Sequence, residues 1–177
     1  MTILGLLPVG TSFANESIEM VKRSAGLLIY RRGDGDLRVL LVHPGGPFWA
    51  KKDDGAWSIP KGLVGENEDE LSAAQRETAE ELGLKVDGPF TRLGDYRQPG
   101  GKIVIAWSVE ARIDIDVATI KSNSFTMEWP PRSGSMKEFP EVDRGAWFTI
   151  TAAREKLLAG QRGFLDELEV LISSTDD

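Results

Sequence analysis

The feature that most constrains this 177-residue chain is a two-sided helical pattern within residues 62–84, GLVGENEDELSAAQRETAEELGL. At about 100° of rotation per residue, one arc of the helix is apolar and a neighbouring arc is acidic. The apolar positions are Leu71, Ala74, Thr78 and Leu82. The acidic positions are Glu70, Glu77, Glu80 and Glu81. The pattern predicts a helix that buries its apolar side in a core and gathers carboxylates beside it.

The acids of this segment fall into two groups. The first-turn acids at 68–70 sit where the helix dipole favours negative charge, and Asn67 is predicted to cap the helix with Glu70 as its capping-box partner. The second group lies towards the C-terminal end, where the dipole is unfavourable, and comprises Glu77, Glu80 and Glu81. A solvated acidic helix is the ordinary alternative. The crowded oxygen ligands favour instead a site for a hard cation, Mg²⁺ or Mn²⁺.

The residues around these acids resemble the signature of the Nudix hydrolases, which cleave nucleoside diphosphates linked to another moiety. The match consists of Gly62, five residues, Glu68, seven residues, and then RETAEELGL at 76–84. Thr78 is the one departure, because the family pattern has a bulky aliphatic residue there, and we expect weaker packing without loss of function. The resemblance extends over roughly residues 22–150 and implies an α/β fold, the Nudix α/β/α sandwich with a mixed β-sheet.

The resemblance also implies roles for individual residues. The implied metal ligands are Glu77, Glu80, Glu81 and the backbone carbonyl of Gly62. The catalytic base is either Glu77 or a glutamate in a later loop. The loop alternatives are Glu138, Glu141 and Glu128, and Glu138 is preferred because glycine and serine residues flank it. Arg76 is included in the catalytic set as a positioning residue that pairs with Glu68 or Glu80, with a direct phosphate contact as the alternative.

Cations and aromatic rings near the signature are candidates for substrate binding. Lys61 precedes the signature glycine, and Lys51 and Lys52 lie in the preceding loop, so all three are candidates for a polyphosphate. Arg97 and Lys102 are more distant options. The loop aromatics that could stack on a base are Phe48, Trp49 and Trp129, whereas Trp57, Trp107 and Trp147 are predicted to be core. His43 ends a strand pattern and is predicted to be a hydrogen-bonding residue.

The lead-in WSIPKG at 57–62 is similar to that of Nudix members acting on diadenosine polyphosphates. Because loops carry specificity in this family, a sugar nucleotide, a dinucleotide polyphosphate and a nucleoside triphosphate all stay open as substrates. The alternative function is a Nudix-like module that binds a small nucleotide without cleaving it. The intact acids favour the enzyme over that module.

The rest of the chain reads as strands, loops and C-terminal helices. Aliphatic runs at 25–32 and 37–43, separated by GDGD, predict a hairpin. Residues 44–55 and 121–141 are rich in glycine, proline or serine and predict loops, the second of them long. Further strands are predicted at 90–96, 102–113 and 145–148, and helices at 152–159 and 164–172.

Composition limits the other classes of function. A single domain is predicted over 1–177, with residues 1–20 as an N-terminal extension rather than a secretory signal or membrane segment. The net charge of −7 argues against binding to a nucleic-acid backbone. The chain has no cysteine, which excludes thiol chemistry and is compatible with the cytoplasm, and its one histidine argues against zinc. A homodimer is left open.

Overall fold

The computed structural model describes residues 20–33 and 35–176, so the expectation for the N-terminal extension lies outside the described residues except at Met20. The strands are β1 (Arg23–Arg32), β2 (Leu37–Pro44), β3 (Lys61–Leu63), β4 (Phe90–Arg97), β5 (Ile103–Glu110), β6 (Ser124–Glu128), β7 (Met136–Pro140) and β8 (Val142–Thr149). The α-helices are α1 (Glu70–Leu82), α2 (Ile150–Lys156) and α3 (Gly163–Thr175). Short 3-10 helices lie at Val117–Thr119 and Ala159–Gln161. None of these helices is long and apolar enough to cross a membrane.

The central sheet is mixed and is forked beside β1. Its strand order is β4-β5-β1-β2-β8, with β1 and β5 parallel and the other pairs antiparallel. Along its other edge β1 pairs first with β3, where Ala25 faces Gly62, and then with β2, where Tyr30 faces Val39. Ser58, in the segment 57–60, forms a β-bridge with Val42 of β2. The segment therefore runs from beside β2 to beside β1. The fork holds the start of the signature next to α1.

Both faces of the sheet are covered by helices. Alternating residues of β1 point to opposite faces, so that Leu27 joins the core under α1 and Leu28 joins the core under α2 and α3. The α1 side of the first core includes Ala73, Ala74 and Leu82. The second core includes Ala153, Phe164, Leu165 and Leu168. The predicted α/β/α sandwich with a mixed sheet is confirmed.

The prediction of a long loop at 121–141 is wrong. Most of this segment forms an antiparallel hairpin in which Ser124 faces Pro140 and Glu128 faces Met136. The turn residues are 129–135, where Gly134 has a positive φ of 72°. Proline and glycine therefore mark the turn of this hairpin and the end of β7, while the residues between them pair as strands.

The predicted cap of α1 is also wrong. The N-cap is Asp69, whose backbone is extended and whose side chain accepts from the Ser72 amide at 3.0 Å. Asn67 has a φ of 58°, a left-handed conformation that belongs to the preceding turn and not to an N-cap. Glu70 does not close a capping box; it accepts from the Arg23 guanidinium at 2.6 Å and so ties the helix start to β1. The helix ends at Gly83, whose left-handed backbone, with φ 71°, is the conformation that glycine adopts readily after a helix.

Candidate active site

The backbone just before the signature is fixed by hydrogen bonds from three directions. The Leu27 amide of β1 donates to the Pro60 carbonyl at 3.1 Å. The Ile59 amide donates to the buried Gln161 side chain at 3.0 Å. The Lys61 amide then donates to Oε2 of Glu81 at 3.0 Å, which joins the lead-in to the last turn of α1. The carboxylate of Glu81 is therefore held against the sheet.

Arg76 organises the signature loop and the helix acids. Its Nε and Nη2 donate to the two oxygens of Glu68 at 2.8 and 2.9 Å, and Nη2 also donates to the Leu63 carbonyl at 3.1 Å. Its Nη1 donates to Glu77 at 2.8 Å and to Glu80 at 3.3 Å. These bonds raise the pKa of Arg76, with Glu68 as the largest cause, and the same pair lowers the pKa of Glu68 to about 2. The geometry agrees with a positioning residue.

Gly62 matters to this site because it has no side chain. A Cβ built on Gly62 would lie 2.0 Å from Oε2 of Glu77, so the carboxylate occupies the space that any other residue would fill. Gly62 itself is held in register opposite Ala25. The strand and the helix can thus approach closely enough for the Glu77 carboxylate to lie against the signature backbone.

Two carboxyl groups at the site have raised pKa values. Burial raises the pKa of Glu81 to about 7, with Glu77 and Glu141 adding to the shift and Lys61 opposing it. Burial also raises the pKa of Glu141, and Glu77 and Glu80 add to that shift. Like charges that crowd together resist ionisation, so these shifts identify a cluster of mutually repelling carboxylates.

Of the three loop glutamates, Glu141 is linked to the helix acids by backbone hydrogen bonds: its amide donates to the Asn123 carbonyl at 2.8 Å, and the Asn123 amide donates to the Glu80 carbonyl at 3.2 Å. It follows β7 directly, at the base of the hairpin. Glu138 lies within β7, exposed and facing Thr126 across the hairpin, so it is not in the flexible loop for which it was preferred. Glu128 ends β6 and accepts from the Gly134 amide at 2.7 Å within the hairpin turn.

The cations near the site differ from the sequence expectation in one respect. Lys102, a more distant option by sequence, has its pKa lowered by burial and by Lys61 and Lys22, with Glu77 and Glu81 opposing. Lys102 and Lys61 therefore lie together beside the helix acids. Lys52 instead places its ammonium 4.9 Å from the ring centre of Trp49, and Lys51 is exposed in the same loop.

The aromatic residues are divided between the core and one cleft. Trp57 and Trp107 are buried, as predicted, while Trp147 is partly buried beneath the Arg31 guanidinium. Phe48 and Trp129 contact each other edge to face at 5.4 Å. Trp49 packs partly against the core. Phe48, Trp49 and Glu141 line one cavity, so the structure joins these loop aromatics to the acidic site.

His43 is buried and bridges the two segments that flank this cavity. Its Nδ1 lies 2.9 Å from Oδ1 of Asp143, and its Nε2 lies 2.7 Å from the Lys52 carbonyl. Its ring also contacts Trp57 edge to face at 5.1 Å. These contacts confirm the prediction of a hydrogen-bonding residue at the strand end, and they fix the loop 44–55 against β8.

The chemistry of the acids fits a hard divalent cation, because the site offers carboxylate oxygens whose charges are only partly balanced. As the side chains stand, no group of three or more acidic or histidine side chains among residues 20–33 and 35–176 is arranged to hold a metal ion. Arg76 Nη1 donates to Oε1 of Glu77 and of Glu80, and the Lys61 amide donates to Oε2 of Glu81, so each of these bonds engages one oxygen of its carboxylate.

Comparisons with known proteins agree with this architecture. The NUDIX domain family matches residues 20–168. The asymmetrical bis(5'-nucleosyl)-tetraphosphatase of Caenorhabditis elegans is 42% identical over 65 residues, which are 37% of this chain and 43% of that enzyme's length. The crystal structure of the C. elegans Ap4A hydrolase aligns with a TM-score of 0.58 at 22% identity, covering 86% of this chain and 99% of the other. The NUDIX domain of Shewanella oneidensis NrtR, complexed with ADP ribose, aligns with a TM-score of 0.59 at 14% identity, covering 90% and 94%.

Proposed function

Because the chain belongs to the NUDIX family, we propose that it hydrolyses a phosphoanhydride bond in a nucleoside diphosphate linked to another moiety, with Mg²⁺ or Mn²⁺ as cofactor. The observation that carries the proposal is the convergence of four acids: Glu77 and Glu80 share the Arg76 guanidinium, Glu81 accepts from the Lys61 amide, and Glu141 is linked to Glu80 through the Asn123 backbone. Within this class, a dinucleoside polyphosphate is supported by the name of the C. elegans tetraphosphatase and by the similar lead-in to the signature.

The residues that would hold the metal are Glu77, Glu80 and Glu81, with the Gly62 carbonyl as a further oxygen. When bound, the metal would neutralise charge on the phosphoryl oxygens and lower the pKa of a bound water. Arg76 orients the first two of these carboxylates and holds the signature loop to the helix through Glu68.

The residue that accepts a proton from the attacking water is either Glu77 or Glu141 in this proposal. Glu141 replaces Glu138 as the preferred loop glutamate because it neighbours Glu77 and Glu80, and its raised pKa makes it a better proton acceptor than an ordinary surface carboxylate. Lys61 and Lys102 lie beside the acids and are placed to contact the phosphates of the substrate. Lys52 is a weaker candidate because its ammonium lies over Trp49.

The test is hydrolysis of a panel of compounds by the purified chain with and without Mg²⁺. The panel includes a dinucleoside tetraphosphate, ADP ribose, a sugar nucleotide and the nucleoside triphosphates. Glu81→Gln should abolish turnover, and Glu141→Gln should lower it far more than the matched variant Glu138→Gln on the same hairpin. Turnover that needs no divalent metal, or that survives Glu81→Gln unchanged, would refute the site assignment.

The same panel distinguishes the enzyme from a binding module. A module that recognises a nucleotide without cleaving it would bind members of the panel with no metal-dependent product. A cytoplasmic location and the absence of nucleic-acid backbone binding stay predictions from composition, and a homodimer stays open.

A further inference from the structure

The cleft between the loop 44–49 and the β6–β7 hairpin has a composition unlike the rest of the site. It is a cavity of about 400 Å³ lined by residues 44–49, Phe125, Met127 and Glu141. Ligand pockets in proteins span about 300–1,000 Å³, so this cleft is of a size that can hold a nucleoside. Phe48 on its loop side is 58% exposed, which is unusual for a phenylalanine.

The hairpin is fastened to the loop at its base and near its turn. The Gly45 amide donates to the Glu141 carbonyl at 2.9 Å, and a Cβ on Gly45 would lie 1.9 Å from the Pro140 carbonyl oxygen, so the two backbones are in close contact. At the other end, Trp129 contacts Phe48 edge to face. The cleft between these two contacts is therefore a built feature of the fold.

The side chains of β6 alternate between the cleft and solvent. Phe125 and Met127 are partly buried and line the cleft, while Ser124, Thr126 and Glu128 are exposed on the other side. The Phe125 ring lies 3.0 Å from the position of a Cβ on Gly46, so it closes against the opposite backbone. Strand periodicity thus gives the cleft an aromatic and thioether wall.

The negative charge at the cleft disfavours the phosphate end of a substrate and favours its uncharged end. Glu141 is the one charged residue among the residues that line it, and a carboxylate repels phosphate. Through Asn123, the backbone of Glu141 is hydrogen-bonded to that of Glu80, so the cleft adjoins the helix acids. The phosphate-facing cations Lys61 and Lys102 lie on the side of the acids and do not line the cleft.

We propose that this cleft binds the nucleobase of one nucleoside of the substrate, with Phe125 and Met127 as specificity-determining residues. The proposal rests on the proposed function and assigns to the cleft the uncharged, planar end of the same substrate. Planar heterocycles stack on aromatic faces and on thioether sulfur, whereas the opposite, anionic end is directed to the acids and lysines. Trp129 supports Phe48, and Trp49 contributes one edge of the cleft while packing on the core.

The test compares ligands that differ only in the base. Adenosine, guanosine, cytidine and uridine 5'-monophosphates and ribose 5-phosphate contain no phosphoanhydride bond, so their binding can be titrated calorimetrically with Mg²⁺ and without turnover. At least one nucleotide should bind roughly 10-fold or more tightly than ribose 5-phosphate, in line with base–aromatic stacking elsewhere. Phe125→Leu, which keeps apolar volume and loses the aromatic face, should remove most of this difference.

Thr126→Ala, on the solvent side of the same strand, is the matched control and should bind as the wild type does. Equal binding of all four nucleotides and ribose 5-phosphate would overturn the proposal. The proposal would also be overturned if Phe125→Leu bound the nucleotides as Thr126→Ala does. The same holds if Phe125→Leu hydrolysed the best compound of the panel with an unchanged KM. Base-dependent binding that is lost in Phe125→Leu, found with no turnover on any compound, would refute the hydrolase and leave the cleft assignment standing.

Discussion

Replacing Glu81 with glutamine is expected to stabilise the metal-free protein while abolishing its activity. Burial and the neighbouring acids raise the pKa of Glu81 from its ordinary 4.5 to about 7, so the folded state holds the neutral form more favourably than the unfolded chain does. The contribution of this group to stability is therefore fully present below about pH 4.5 and is lost as the pH rises through about 7. Glutamine is neutral at every pH and escapes that loss.

The magnitude follows from the size of the shift. At about 1.4 kcal/mol per pKa unit, the raised pKa of Glu81 lowers the free energy of unfolding by about 3 kcal/mol at pH 8, compared with a group that stays neutral. At pH 5 the same shift lowers it by only about 1 kcal/mol. The advantage of Glu81→Gln over the wild type should therefore grow by about 2 kcal/mol between those two pH values.

Urea denaturation in EDTA at pH 5 and pH 8 measures this difference directly, because EDTA removes any metal that would itself offset the repulsion. Glu80→Gln is the matched control, since that carboxylate is 37% exposed and pairs with Arg76, and it should show no comparable gain. An equal effect of Glu81→Gln at both pH values would refute the argument that burial and crowding hold the proton on Glu81.

Three further substitutions test other contacts of the signature. Thr78→Val should raise the free energy of unfolding by about 1 kcal/mol in urea denaturation, because the Thr78 hydroxyl is buried and has no hydrogen-bond partner among residues 20–33 and 35–176; a loss of stability would contradict this. Gly62→Ala should lower kcat by about 10- to 100-fold with an unchanged circular dichroism spectrum, because its methyl group displaces the Glu77 carboxylate, and normal kcat would refute that contact. Arg76→Lys should lower both kcat and stability, since an ammonium cannot reproduce the forked bonds to Glu68; full activity would exclude this positioning role.

The sequence predicted the elements whose signals are local. The apolar arc of α1 and the hairpin of β1 and β2 each depend on residues close together in the chain, and each was confirmed. The pairing of Arg76 with Glu68 and Glu80 followed from helical spacing and a short loop. Strand alternation in SFTME was also local, but the prolines and glycine around it obscured the signal for β6 and β7.

Residues that are distant in the sequence are brought together at the candidate site by the tertiary structure. The choice of Glu141 over Glu138, the position of Lys102 beside Lys61, and the cleft formed with Phe125 all join segments more than 30 residues apart. Such proximity depends on the order of the strands in the sheet, on the fork beside β1 and on the packing of the β6–β7 hairpin. All three features depend on the packing of the whole core. The signature acids and the fold class could therefore be predicted from the chain alone, whereas the partners of those acids could not, because burial and Coulomb interactions depend on distance in space.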